Sequence, residues 1–134
     1  MAGAHELLNP AGWLPAKGYA NGVLAAGRMV FLGGHIGWNT RQVFETDEFV
    51  GQVDQCLQNI VAVLAEANAA PEHLVRLTWY ITDKREYLDN LGEIGAVYRK
   101  HLGRNYPAMA MVQVVALMED RAKVEIEATA VLPA

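Results

Sequence analysis

The chain has 134 residues, 52% of them hydrophobic, and 11 Lys and Arg against 15 Asp and Glu give it a formal charge of −4. A chain of this length forms one domain over 1–134 and buries roughly two-thirds of its unfolded surface. Basic residues scattered from Lys17 to Lys123, never more than two in a row, exclude a phosphate-tracking nucleic-acid face. The one cysteine, Cys56, excludes an internal disulfide and fits a reducing compartment. The start Met1-Ala2-Gly3-Ala4-His5-Glu6 has no positive region followed by an apolar core, and no apolar run approaches spanning length. A cytoplasmic protein with no membrane contact is expected.

After a tail over 1–17, Tyr19 to Ala25 and Arg28 to Ile36 flank Ala26-Gly27, so two strands joined as a hairpin are expected. Gly33, Gly34 and Gly37 cluster at the end of the second strand. Their missing side chains either admit a ligand to the backbone or allow a simple bend. From Thr46 the apolar spacing becomes helical through Phe49, Val53, Cys56, Leu57, Ile60, Leu64 and Ala67. Thr46 or Asp47 is placed to cap that helix, and Asn68 with Pro71 to end it. Leu74 to Thr82 alternates as a strand, with Val75, Leu77, Trp79 and Ile81 as its apolar set.

Asp83 followed by Glu86 has capping-box spacing, and Tyr87, Leu91, Ile94, Gly95, Tyr98 and Leu102 make one helical stripe closed by Gly103. Ala108 to Leu117 is apolar almost throughout, as in a strand covered on both faces. Ala122 to Val131 alternates strictly, with Lys123, Glu125, Glu127 and Thr129 on its polar side. The turn-like Met118-Glu119-Asp120-Arg121 predicts that these last two strands pair as a hairpin. The element order predicts an α+β domain, a mixed sheet with two helices on one face. Trp79, Ile81 and the valines between 112 and 115 exceed what two helices can cover, so the other face is expected to be apolar and buried between subunits.

Several residues carry chemistry, each with a plainer role beside it. Glu125 either positions water and moves a proton or pairs with Lys123 or Arg121. Tyr19 either bonds a ligand or packs as a core aromatic. His35, at the rim of the glycine bend, has the ordinary pKa of a general base. Trp38, Asn39 and Arg41 continue into a loop that closes over a pocket or is merely solvated. Cys56 on an apolar stripe behaves as a small hydrophobe, and Met109 and Met111 alternate onto one face as packing. No metal or cofactor is expected, since no ligand spacing, phosphate loop, nucleophile elbow or dinucleotide fingerprint occurs.

Gly18-Tyr19, Phe31-Leu32-Gly33-Gly34-His35-Ile36, Gln52 with Asn59-Ile60, Tyr106-Pro107-Ala108 and Lys123-Val124-Glu125-Ile126-Glu127-Ala128 together resemble the Rid (YjgF-like) superfamily, typified by reactive enamine/imine deaminases. The resemblance runs from about Gly18 to Val131. It implies a chorismate-mutase-like α+β fold and a homotrimer with pockets at the subunit interfaces. It also implies Glu125 as the water-handling carboxylate, Tyr19 as a pocket residue and Gly34 as a backbone contact. The Arg that binds the substrate carboxylate in the deaminase branch falls at Met109, and the Cys two residues later falls at Met111. His35 stands where Gln is common, Gly33 where Ser is common, and Gly95 where the second helix carries Asn. The expected function is therefore hydrolysis of a small enamine- or imine-type metabolite that need not carry a carboxylate, with Glu125 and His35 catalytic and with Tyr19, Gly34, Met109, Met111, Trp38 and Arg41 around the substrate. The alternative is a non-catalytic trimer that binds a metabolite or a partner protein.

Overall fold

The computed structural model describes residues 5–134. Its elements in chain order are β1 (Glu6–Leu8), β2 (Gly22–Leu24), β3 (Arg28–Ile36), α1 (Phe49–Glu66), β4 (Leu74–Ile81), α2 (Lys84–Leu88), α3 (Leu91–Leu102), β5 (Ala108–Gln113) and β6 (Val124–Leu132), with a single 3-10 turn over Pro71–His73. The main sheet has the order β3-β6-β4-β5. Strand β6 runs antiparallel to both neighbours, while β5 runs parallel to β4 at the edge. The expected α+β architecture is present, a mixed four-stranded sheet with α1 and α3 packed together over one face.

Both expected hairpins are replaced by other pairings. Strands β5 and β6 never pair: α2 and α3 carry the chain across to lay β5 parallel beside β4, as a parallel pair requires a crossover. The chain then travels through 114–123 to insert β6 between β3 and β4. The apolar run is thus an edge strand ending at Gln113, with Ala110 and Val112 uncovered in the single chain, and Val115 and Met118 lie outside it in an exposed loop. At the other end, β2 spans only Gly22–Leu24 and pairs antiparallel with β1, a strand lying within the expected tail. Gly27 is turned away from a two-residue hairpin by its contact with the end of β6. Its φ is +144°, and a Cβ there would lie 1.8 Å from the Leu132 carbonyl oxygen.

The core forms where the apolar stripe of α1 meets β4 and β6. Val53, Cys56, Leu57, Ile60 and Leu64 are fully buried against Leu77, Val124 and Ile126. Trp79 and Ile81 also fit beneath the helices, at 3% and 2% exposure. The face opposite the helices is consequently more polar than expected. It carries Glu125, Glu127 and Thr129 of β6 beside Thr78 and Tyr80 of β4, flanked by exposed Phe31 and Val112.

Caps define the helix ends. Asp83 accepts from the Arg85 amide at 2.8 Å as the N-cap of α2, while Glu86 pairs with Lys123 at 3.1 Å and leaves the capping box open. The single expected stripe breaks at Asp89-Asn90 into α2 and α3, and Gly103 at φ +66° ends α3. Helix α1 has Glu48 at its N-cap without a side-chain bond; Thr46 accepts from the Glu48 amide, and Asp47 pairs with Arg121.

One polar side chain sits at the centre of the core. Gln52, fully buried, donates to the carbonyls of Thr46 and Arg121 and accepts from the Lys123 amide at 2.8 Å. It joins the start of α1 to the chain entering β6. Gln52→Leu strands that amide and both carbonyls, and is expected to lower unfolding free energy by about 3 kcal/mol. Urea unfolding monitored by circular dichroism checks this, and an unchanged midpoint would show that the three bonds contribute nothing.

Candidate functional site

Strand alternation decides where Glu125 stands. Val124 and Ile126 point into the core with no exposure, so Glu125 emerges on the face away from the helices, opposite Tyr80 on β4 and Ile36 on β3. The cations nearest in sequence are engaged elsewhere. Lys123 pairs with Glu86, and Arg121 pairs with Asp47 at 2.9 Å while lying over the Phe44 ring. Among the described residues Glu125 has no ion pair, so the plainer role as a strand-surface salt bridge is not the one it plays.

The glycine bend is a β-bulge. Leu32 pairs with Ala128 and His35 with Ile126, so Gly33 and Gly34 together oppose Glu127. A Cβ on Gly34 would lie 2.0 Å from Oε2 of Glu125, so the carboxylate rests directly on bare backbone. Nothing fills the space above Gly33. Gly37 serves packing instead, because a Cβ there would come within 2.6 Å of Gln52 Cβ.

His35 follows the bulge and is half-buried. Burial pushes its pKa below the usual 6.5, with the Glu125 charge acting in the opposite direction. The imidazole is therefore neutral at pH 7 and free to take a proton. Its backbone carbonyl accepts from Cys56 Sγ at 2.9 Å. Burial raises the Cys56 pKa far above the thiolate range, so this sulfur is a core donor and no nucleophile. Beyond Glu125, Tyr80 donates to Glu127 at 2.6 Å, and that bond raises the tyrosine pKa.

The other expected site residues lie apart from this carboxylate. Met109 and Met111 pair with Leu77 and Trp79 across β4–β5 and turn to the helix side, partly buried against the core. They line an apolar cavity there with Gly18, Trp79, Tyr98 and Arg99. Tyr19, 45% exposed, follows Gly18 at the edge of that cavity, where Ala20 bonds the Pro107 carbonyl at 2.9 Å. Trp38 packs its ring against Phe44 and holds Asn59 through its carbonyl at 2.8 Å. Arg41 is exposed in a loop that Asn39 folds on itself by accepting from the amides of Arg41 and Val43. A single subunit thus joins Gly34 and Glu125 directly, with His35 paired opposite Ile126 but within range of the Glu125 charge, and sets Met109 with Met111 apart from them.

Sequence reasoning passed over two residues of the second cluster. Trp79 reads as core, and only its indole N–H, which has no acceptor among the described residues, marks it. Arg99 stands four residues after Gly95, a helical spacing that puts its guanidinium over the glycine, with Nη1 3.1 Å from where a Cβ would be.

Comparison with known proteins places this geometry. The family model described as Endoribonuclease L-PSP matches residues 11–132. Protein DfrA of Myxococcus xanthus is 37% identical over 108 residues, covering 79% of this chain and 78% of that protein. A RutC family protein of Aquifex aeolicus is 35% identical over 126 residues, 94% of this chain and 98% of that one. The crystal structure of YyfB of Yersinia pestis, of the conserved Rid protein family and of unknown function, superposes with a TM-score of 0.85 at 28% identity, over 96% of this chain and 99% of that one.

Two outcomes follow from the cluster. In Gly34→Ala the new methyl meets the tip of a flexible side chain, so stability should fall by less than about 1 kcal/mol while the Glu125 carboxylate is displaced; thermal melts together with a crystal structure of the variant check both. For His35, the folded pKa lies below the unfolded 6.5, so its neutral form's stabilising contribution is present above pH 6.5 and is lost as pH falls toward the folded value. Melting temperatures from pH 7.5 to 5.5 should decline less steeply in His35→Gln than in wild type.

Proposed function

Because the chain belongs to the Rid (YjgF-like) family, we propose that it hydrolyses a small enamine- or imine-type metabolite at the Gly34–His35–Glu125 cluster. The observation that carries this is the position of Glu125: a carboxylate with no ion pair among the described residues, resting on the bare backbone of a bulge and near enough to His35 for its charge to act on that imidazole. Such a carboxylate is free to accept a proton from water.

The reaction needs little more. An enamine taking a proton at carbon becomes an imine; water, deprotonated by Glu125, adds to the imine carbon; the resulting carbinolamine expels ammonia and leaves a carbonyl. Glu125 holds the proton from water and returns it to nitrogen, and His35 exchanges the proton that moves between carbon and nitrogen. Gly34 offers backbone contact where any side chain would collide with the carboxylate. On this proposal a neighbouring copy covers the open face in a homotrimer, bringing its pocket wall to Glu125; the exposed Phe31, at 70%, and the uncovered edge strand β5 support such a cover.

The apolar Met109 and Met111 favour a substrate end without a carboxylate at that position, since a carboxylate desolvated against thioethers is uncompensated. RNA cleavage, which the family model's description names, draws no support from a face bearing Glu125 and Glu127 on a chain of net charge −4.

Assays on freshly generated imines and neutral enamines test the proposal. Glu125→Gln should lower kcat by about 10²- to 10⁴-fold, and His35→Ala should lower it less. Absence of turnover above buffer by wild type on the whole panel would overturn the hydrolytic reading and leave a binding module. Met109→Arg should improve kcat/KM for carboxylate-bearing imines by about one to two decades; an unchanged value would show that position 109 does not face the substrate.

A further inference from the structure

The segment that reads as a tail in the sequence builds one side of a second cavity. Leu7 and Val23 are directly opposed in the β1–β2 ladder, and both line a space of about 210 Å³. Its other apolar walls are Leu74, Tyr106 and Pro107, at the starts of β4 and β5. Ala20 ties the two sides together, its amide donating to the Pro107 carbonyl at 2.9 Å. Neither Glu125 nor a methionine lines this space. An apolar cavity of about 150 Å³ takes a benzene ring, so this one has room for a short aliphatic chain with a charged head. Leu7 is 64% exposed, which leaves apolar surface for a ligand to cover.

Two opposite charges line the same space, each on braced backbone. Glu72 sits in the 3-10 turn, which His73 holds: its Nδ1 accepts from the Ala70 amide at 2.9 Å, and its carbonyl accepts from Nε2 of His5 at 2.9 Å. Arg104 sits in the loop after α3. There Asn105 donates to the Leu102 carbonyl at 2.8 Å and accepts, through its own carbonyl, from the Tyr98 hydroxyl. Neither Glu72 nor Arg104 has an ion pair among the described residues, and the two do not pair with each other. The backbone under both charges is therefore fixed while both side chains are left to a ligand, so little ordering is required on binding.

The pair of charges selects the ligand class. A plain carboxylate on Arg104 meets the negative charge of Glu72, a plain amine on Glu72 meets the guanidinium, and a phosphate dianion doubles the first repulsion. A zwitterion satisfies both charges at once. We propose that this cavity binds a zwitterionic α-amino acid with an aliphatic side chain. Its carboxylate lies on Arg104, its ammonium on Glu72, and its side chain between the Leu7–Val23 pair and Leu74 with Pro107. Leucine is the probe. The site stands apart from hydrolysis, because binding is measured without turnover and no residue assigned to the reaction takes part.

Isothermal titration of the full chain at pH 7 with leucine, 4-methylpentanoate and 3-methylbutylamine tests it, the last two keeping the aliphatic part and one charge each. Leucine should bind with Kd of about 1 mM or tighter, and each single-charge analogue about tenfold more weakly. Arg104→Gln should weaken leucine about tenfold and bring it level with the amine, and Glu72→Gln should bring it level with the carboxylate. Both residues are exposed, so the melting temperatures of the two variants should match wild type. Arg99→Gln removes a cation that lines the cavity of Met109 and should leave the leucine affinity unchanged. Three results would each overturn the assignment: no leucine binding at about tenfold that Kd, either analogue binding within about twofold of leucine, or equal weakening by Arg99→Gln and Arg104→Gln.

Discussion

The position of Glu125, and of everything packed around it, depends on the register of β6. It is the one strand of the main sheet antiparallel to a neighbour on each side, paired with β3 from Arg28↔Leu132 to Ile36↔Glu125 and with β4 from Leu74↔Ala130 to Ile81↔Val124. A slip of one residue would drive Glu125 and Glu127 into the core beneath α1 and expel Val124 and Ile126. Burying two carboxylates without partners is among the most costly changes a core can suffer. The hydrophobic demand of the core therefore holds Glu125 on the opposite face.

That constraint explains the rest of the cluster. Both breaks in the β6 ladders put the extra residue in its partners, in β4 between Leu74 and Arg76 and in β3 as the bulge at Gly33-Gly34. Glycine is required at Gly34 by the carboxylate lying upon it, and at Gly37 by Gln52. Gln52 in turn holds the chain entering β6 through the Lys123 amide and the Arg121 carbonyl. Packing, bulge and carboxylate are one connected arrangement, fixed from the helix side of the sheet.

How much of this could be read from the sequence follows from the range of each interaction. Helix α1, strand β4, the cap at Asp83 and the outward direction of Glu125 were legible because period and capping are local. The two hairpins were misassigned because adjacency in sequence is a weak guide to partnership when a helix pair can carry the chain across the sheet. Strand β5 shows this well: its unbroken apolar character reads as a doubly covered strand, yet it is the sheet edge, apolar toward the helices through Met109 and Met111 and uncovered at Ala110 and Val112. The bulge glycines and His35 were visible as candidates, while the contact of Gly34 with Glu125 is long-range and was not. Trp79 and Arg99 left even less trace, since an indole without an acceptor looks like any core indole and an exposed helical arginine looks like any solvated one.

The separation of the two clusters also bears on what Met109 means. In one subunit the sheet stands between Met109 and Glu125, so the side chain at position 109 does not touch the carboxylate. Met109 instead contributes an apolar wall to the helix-side cavity. A guanidinium on β5 and one on α3 would also compete for the same small space, and like charges in an apolar cavity are mutually destabilising. Methionine at 109 and glycine at 95 are therefore consistent with each other: the first vacates the strand side of the cavity, and the second lets Arg99 reach it from the helix.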